Sequence, residues 1–271
     1  MRMFRSNLRK LRSRPATWVT FLLLVGLYAL VLFSLLVSTR LLTDPAQALA
    51  ARQPLTFPTA YETTLALIIG TGSMLAVAYG AAVAGAEWGW GTLKAAVARG
   101  ESRSLLILAA FAAVAVYTWL GLLATYAVGV PMTALGAALV GIDISGLGDS
   151  DGLLRLPELF GRAGLALAMN AALGFAIATV TRSQVAGIIA AIGLYFAEGI
   201  AWIFAPDLIK WLPFTASGAV VEGGNPGGTS VGGLELGATL DTGTAVLVTI
   251  GWLVVSLAIA VLRTEQAEIS G

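Results

Sequence analysis

Six stretches of about twenty residues, each nearly free of charge, constrain this chain more than any other feature. They lie at about 18–38, 63–84, 105–130, 162–181, 185–205 and 244–262. A helix needs about 20 mostly apolar residues to cross the hydrocarbon core of a bilayer. Each stretch is uniformly apolar instead of alternating, which predicts helices and not barrel strands. Only 11% of the chain is charged, too little to cover a water-facing surface, since a soluble domain carries roughly 25%. The reading is an all-α integral membrane protein, with one transmembrane domain over residues 1–271. All nine prolines are expected outside the spans or at their ends, where a missing N–H costs least. The first apolar run is longer than a signal-peptide core and reads as a span.

The chain has no cysteine and no histidine. Disulfides, thiolate nucleophiles, histidine-ligated zinc and every Ser/His or Cys/His pair are thereby excluded. Lys and Arg are distributed unevenly between the two sides. Arg2, Arg5, Arg9, Lys10, Arg12, Arg14, Lys94, Arg99, Arg103, Arg182 and Arg263 fall on the side that holds both termini. Arg40, Arg52, Arg155, Arg162 and Lys210 fall on the other. The excess predicts that both termini are cytoplasmic. No aspartate then lies in a span or on the cytoplasmic side, which removes intramembrane aspartyl proteolysis and aspartate-based lipid phosphotransfer. The one dense basic cluster abuts a span, so it points to lipid headgroups and not to nucleic acid. No Gly-x-x-x-x-Gly-Lys-Ser/Thr occurs, so this motif offers no ATP site.

Several pieces carry possible chemistry. Residues 3–14 are amphipathic, with Phe4, Leu8 and Leu11 on one helical face and arginines around it. Such a helix lies in the membrane interface, either as an anchor or as a lever. Pro15 separates it from the first span. In the loop 85–104, Thr92 can cap a short helix that Gly100 stops, and Trp88 and Trp90 suit the headgroup layer. That loop reads either as a connector or as a docking element for a cytoplasmic partner. The outer segment 131–161 carries Asp143, Asp149 and Asp151 without an ordered calcium loop, so solvated acids and no metal site are expected. In the outer hairpin segment 206–241, residues 207–221 are expected to form a re-entrant or interfacial helical hairpin, and the glycine-rich 223–233 a flexible turn or mobile loop.

Within the spans, Gly72, Ala76, Gly80 and Ala84 form a small-residue stripe that would let helices approach closely. A second stripe runs through Gly164, Ala168, Ala172 and Ala176. Glu198 is the only acid expected well inside a span, toward its outer end, and an ionisable group at that depth is a functional candidate. Asn170 is the clearest polar residue of the fourth span. It reads as helix-to-helix glue or as part of a pathway.

In their order these parts resemble the six-span permease subunits of type 2 ABC transporters. The similarity is carried by Arg12-x-Arg14-Pro15-x-x-Trp18 before the first span. It is also carried by Glu87, Gly91-Thr92-Leu93 and Ser102-Arg103 in the second cytoplasmic loop, and by Leu212-Pro213 at the outer hairpin. Gly100-Glu101 stands where that family often has proline, and a basic residue common early in the third span is missing. The resemblance implies that residues 90–98 form a coupling helix seated in a separate ATP-binding subunit. Glu87, Trp88, Trp90, Gly91, Thr92, Leu93, Lys94 and Arg103 would contribute to that coupling. It further implies a homodimer of this chain with two ATPase copies in a prokaryotic cell membrane, and export by alternating access. ATP and magnesium would sit on the partner, and this chain would catalyse nothing. Glu198 and Asn170 would line or gate the pathway. The alternatives are a proton-coupled secondary transporter working through Glu198 and a structural or sensory membrane protein.

Overall fold

The computed structural model describes residues 2–89, 100, 102–222, 229–231, 234–236 and 239–267. Helix α1 (Arg2–Ser13) is followed by Arg14 in an extended conformation, and Pro15 then opens α2 (Pro15–Leu41). Proline suits the first helical position because its missing N–H has no partner there in any case. The short α3 (Pro45–Arg52) is capped by the Asp44 carboxylate, which accepts from the Ala46 N–H at 2.9 Å. A single 3-10 turn, Gln53–Leu55, leads into α4 (Thr59–Gly89). Ser102 caps α5 (Arg103–Leu139), and α6 (Ser150–Thr181) follows. Arg182 then turns the chain at φ 52°, and Ser183 caps α7 (Gln184–Trp202). After α7 come α8 (Pro206–Ile209) and α9 (Pro213–Glu222). Two three-residue strands, β1 (Thr229–Val231) and β2 (Leu234–Leu236), pair antiparallel. Asp241 caps α10 (Thr242–Glu265) through the Thr244 N–H at 3.0 Å.

Six of these helices, α2, α4, α5, α6, α7 and α10, are long and apolar enough to cross a membrane. The protein is a multi-pass, all-helical membrane protein with one small hairpin of strands. Every expected span is present, and most extend beyond the expected limits. The extension corrects three expectations. Pro131 lies inside α5 and Pro157 inside α6, not at helix ends. Neighbouring helices hold α5 together past Pro131: the Tyr28 hydroxyl donates to the Gly129 carbonyl at 3.1 Å, and Gly136 packs against Leu36. The early part of α6 is held by a Tyr126–Phe160 edge contact, with centroids 4.9 Å apart. The outer segment expected over 131–161 therefore shrinks to residues 140–149. There the ionised Asp143 accepts from the Ser145 hydroxyl and N–H, which holds its carboxyl below the usual range. The glycine-rich stretch expected over 223–233 lies mostly outside the described residues.

Helices α4 and α6 form the centre. Of their most apolar windows 61% and 72% is buried, against 17% in α2 and α7. They pack more extensively on each other than any other pair. Their backbones touch at two reciprocal points. A Cβ on Gly80 would overlap the Ala171 carbonyl, and a Cβ on Gly174 would overlap the Val77 carbonyl. Only glycine permits this approach, and it brings Cα–H groups onto carbonyl oxygens. The expected stripe Gly72, Ala76, Gly80 and Ala84 is buried throughout. Of the second expected stripe, Ala172 and Ala176 are buried in the core. Ala171, Gly174 and Ala178 make the close contacts of α6, while Gly164 meets Trp119 of α5 and Ala168 is half-buried. The peripheral helices present large apolar side chains outward, among them Leu22, Leu30, Phe33, Ile189, Leu247 and Val254, as a lipid-facing surface requires.

Candidate functional site

One end of the bundle gathers α1, the last turn of α4, the α6–α7 turn, the start of α5 and the end of α10. Its hub is Glu87. The expected loop at 85–104 begins later than the sequence implies, because α4 continues through Glu87 and Trp88 to Gly89. Glu87 is 5% exposed. Its carboxylate accepts from the Lys10 ammonium at 2.6 and 2.7 Å and from the Arg14 guanidinium at 3.1 Å. Glu198 is thus not the only buried acid in a membrane-crossing helix. Burying a carboxylate is costly unless it is paired and hydrogen-bonded, and here two cations do so. Lys10 is the fourth residue before Arg14, which leaves α1 just beyond that helix's last turn. The extended backbone at Arg14 turns the second cation onto the same carboxylate.

Around this hub the interfacial helix is fastened to protein and not only to lipid. Leu11 is buried, and Phe4 and Leu8 pack on the core. The Leu8 carbonyl accepts from the Tyr117 hydroxyl of α5 at 3.0 Å. Thr17 donates to the Leu11 carbonyl at 2.7 Å and shares a 3.0 Å hydrogen bond with the Tyr79 hydroxyl. The α6–α7 turn presses onto α4, and a Cβ on Gly85 would overlap Gln184. The Trp88 ring carries the Arg182 guanidinium 5.2 Å from its centroid. Arg103 donates to the carbonyls of Glu265 and Ala267 at 3.1 and 2.9 Å, so it braces the C-terminal end of α10. Ser104 also donates to Glu265. Of the residues expected to couple, Glu87, Trp88 and Arg103 meet at this end of the bundle. Trp90, Gly91, Thr92, Leu93 and Lys94 lie outside the described residues. The sequence reading missed Lys10 and Arg14 as partners of Glu87. A lone carboxylate at the end of a span, on a side crowded with arginine and lysine, was the available signal.

The second polar site lies where α9 meets α6 and α7. Glu198 is turned inward and is 3% exposed, where a reach to the outer interface was one expectation. Its Oε1 accepts from the Thr215 N–H at 2.5 Å and from the Thr215 hydroxyl at 2.8 Å, at the third residue of α9. A carboxylate suits that helix start, where backbone N–H groups point outward without partners. Asn170, fully buried in α6, accepts from the Ser217 hydroxyl at 3.3 Å. Thus α9 bridges α7 and α6 by two neighbouring polar side chains, and packs its apolar face on α6 and α10. Glu198 Oε2 and Asn170 Nδ2 find no hydrogen-bond partner among the described residues. A cavity of about 140 Å³ lies beside this site, between α4, α7 and α9, with Ser73 and Tyr195 on its wall.

Six helices long and apolar enough to cross a membrane, packed on an α4–α6 centre, with α1 clamped to α4 and α9 held by Glu198 and Asn170, define a polytopic membrane protein. Residues 53–270 match the family described as protein of unknown function (DUF2705), and the chain belongs to that family. The matched region begins after α2, so Lys10 and Arg14 lie before it. No curated protein matches the chain.

Proposed function

We propose that this chain is the permease subunit of an ATP-driven transporter of the ABC type, most simply an exporter, with ATP hydrolysis on a separate chain. The observation that carries this reading is the clamp of Lys10 and Arg14 on Glu87. It joins α1 to the root of residues 90–98, the segment that resembles a coupling helix. A force applied to that segment reaches α1 through charged groups, and reaches α6, α7 and α10 through Trp88, Arg182 and Arg103. Two permease copies, two ATPase copies and a prokaryotic cell membrane with cytoplasmic termini complete the proposal.

The test is purification of the tagged chain from its native membrane with identification of what accompanies it. The expected companion is a protein carrying Gly-x-x-x-x-Gly-Lys-Ser/Thr. The double substitution Thr92→Asp, Leu93→Asp should release it, because unpaired charge in an interface is costly. An equally retained companion in the double variant, or no ATP-binding companion at all, sinks the proposal.

A second reading, proton-coupled transport, is favoured by one observation: Glu198 Oε2 is buried without a hydrogen-bond partner among the described residues. Proteoliposomes under an imposed pH gradient distinguish the two. Proton entry that disappears in Glu198→Gln, without any ATPase present, supports the second reading against the first.

A further inference from the structure

The structure assigns a binding site for one acyl chain of an anionic phospholipid to the cleft between α2, α4 and α5 beneath α1, on grounds independent of the proposed transport function. The cleft has a volume of about 270 Å³ and opens sideways toward the lipid. Its end nearest α1 is polar, where Thr17, Tyr79 and Tyr117 meet the last two turns of that helix. Its far end is carbon, closed by Leu24, Ala124 and Leu167. Thr17 to Leu24 spans seven helical residues, a depth of about 10 Å at 1.5 Å per residue. A packed helix is about 10–12 Å across with its side chains, too wide for this slot, whereas a single hydrocarbon chain fits. In a bilayer such a space fills with lipid, because an apolar cavity has no use for water.

The charge around the mouth selects the headgroup. Helix α1 contains no acidic residue. Arg5, Arg9 and Arg12 are exposed, while Lys10 and Arg14 are turned onto the carboxylate of Glu87. Trp18 lines the cleft and donates its indole N–H to the Arg12 carbonyl at 2.9 Å, which places Arg12 at the mouth. Arg9 lies three residues earlier, on the same helical face. A phosphate seated there would have two arginines beside it and its chain in the slot.

Gly121 provides the test. It lines the cleft, and a Cβ added to it meets nothing within 4 Å, so leucine would occupy the slot without a backbone clash. The full chain would be reconstituted with equal phosphatidylglycerol and phosphatidylcholine, then released for native mass spectrometry. The wild type should retain one phosphatidylglycerol, and Gly121→Leu should lose it. The double variant Arg9→Gln, Arg12→Gln should lower the preference for phosphatidylglycerol about tenfold. Gly26→Leu, at an exposed α2 position where a Cβ also meets nothing, should retain it. Equal retention of the two lipids by the wild type, or unchanged retention in Gly121→Leu, overturns the assignment. So does a disulfide between copies of Gly121→Cys in this cysteine-free chain, which would put a second protomer over the cleft. If the leucine variant does not fold, chain-brominated phosphatidylglycerol decides the matter by quenching Trp18 fluorescence, read as wild type minus Trp18→Phe. Stronger quenching than by brominated phosphatidylcholine supports the site, and equal quenching overturns it.

Discussion

The Lys10 ammonium lies 2.6 and 2.7 Å from the two oxygens of Glu87, 77 positions away in sequence, and ties the interfacial helix to the last turn of α4. Arg14 approaches the same carboxylate from the α1–α2 junction at 3.1 Å. Two cations therefore meet on one buried anion. Removing the anion leaves both without it, whereas removing Lys10 leaves the pair with Arg14. This asymmetry makes the clamp testable residue by residue.

Glu87→Gln should destabilise the protein by about 3 kcal/mol, the cost of breaking a buried ion pair from one side. Lys10→Gln should cost less, about 1 kcal/mol, because the lysine side chain is 28% exposed and solvent screens the loss. Melting in detergent ranks the two. Limited trypsin digestion should cut faster at Lys10 and Arg12 in the Glu87 variant. Equal melting temperatures and equal cleavage would show that the clamp carries no stability.

Gly80→Leu and Gly174→Leu should each destabilise by at least about 1–3 kcal/mol, because the new side chain must push α4 and α6 apart. Gly26→Ala, whose Cβ meets nothing, should instead stabilise by up to about 1 kcal/mol through helix propensity. Thermal melting of the three variants checks the order. If the Gly80 and Gly26 variants melt alike, the close approach of α4 and α6 is not a source of stability.

Glu198→Leu leaves the Thr215 N–H and hydroxyl without their acceptor and should cost about 1–3 kcal/mol. Glu198→Gln keeps an oxygen at Oε1 and should cost less. Thr215→Val removes only the hydroxyl and should fall between them. Amide hydrogen exchange reports directly on α9: faster exchange at Thr215 and Ala216 is expected in the leucine variant only.

The Asp241 cap carries a pH dependence whose sign follows from its environment. The Thr244 backbone N–H and hydroxyl stabilise the ionised carboxylate, so its pKa lies below the usual aspartate value of 3.8. A depressed folded-state pKa contributes stability above the unfolded value and loses it as pH falls through the folded one. Asp241→Ala should therefore melt below the wild type at pH 7, and the gap should close as pH drops below about 3.8. A gap that persists unchanged at pH 2.5 contradicts the cap.

Orientation is checked by a single cysteine in this cysteine-free chain. Ser230→Cys, in β1 of the outer hairpin, should react with an impermeant maleimide added outside intact cells. Labelling only after the cytoplasmic side is opened would reverse the proposed topology.

Local composition determined the six helices, because a span must satisfy its backbone hydrogen bonds internally and its outer surface must be apolar, and both demands are met residue by residue. The stripe from Gly72 to Ala84 was legible for the same reason: a four-residue repeat of small side chains is a property of one helix alone. The limits of the helices were less legible. Pro131 and Pro157 mark helix ends only when nothing beyond them packs, and Leu36 and Tyr28 for the first and Tyr126 for the second supply that packing from elsewhere in the chain. The second stripe was legible only in part: Ala172 and Ala176 are buried, but an alanine-rich helix has small residues on every side, and the backbone contacts with α4 fall on Ala171 and Gly174. The partners of Glu87, Glu198 and Asn170 were decided by tertiary structure alone. Lys10 and Arg14, Thr215 and Ser217 are ordinary residues in sequence, and they acquire their roles only when a fold 77, 17 or 47 positions long closes on a buried polar group that must be paired.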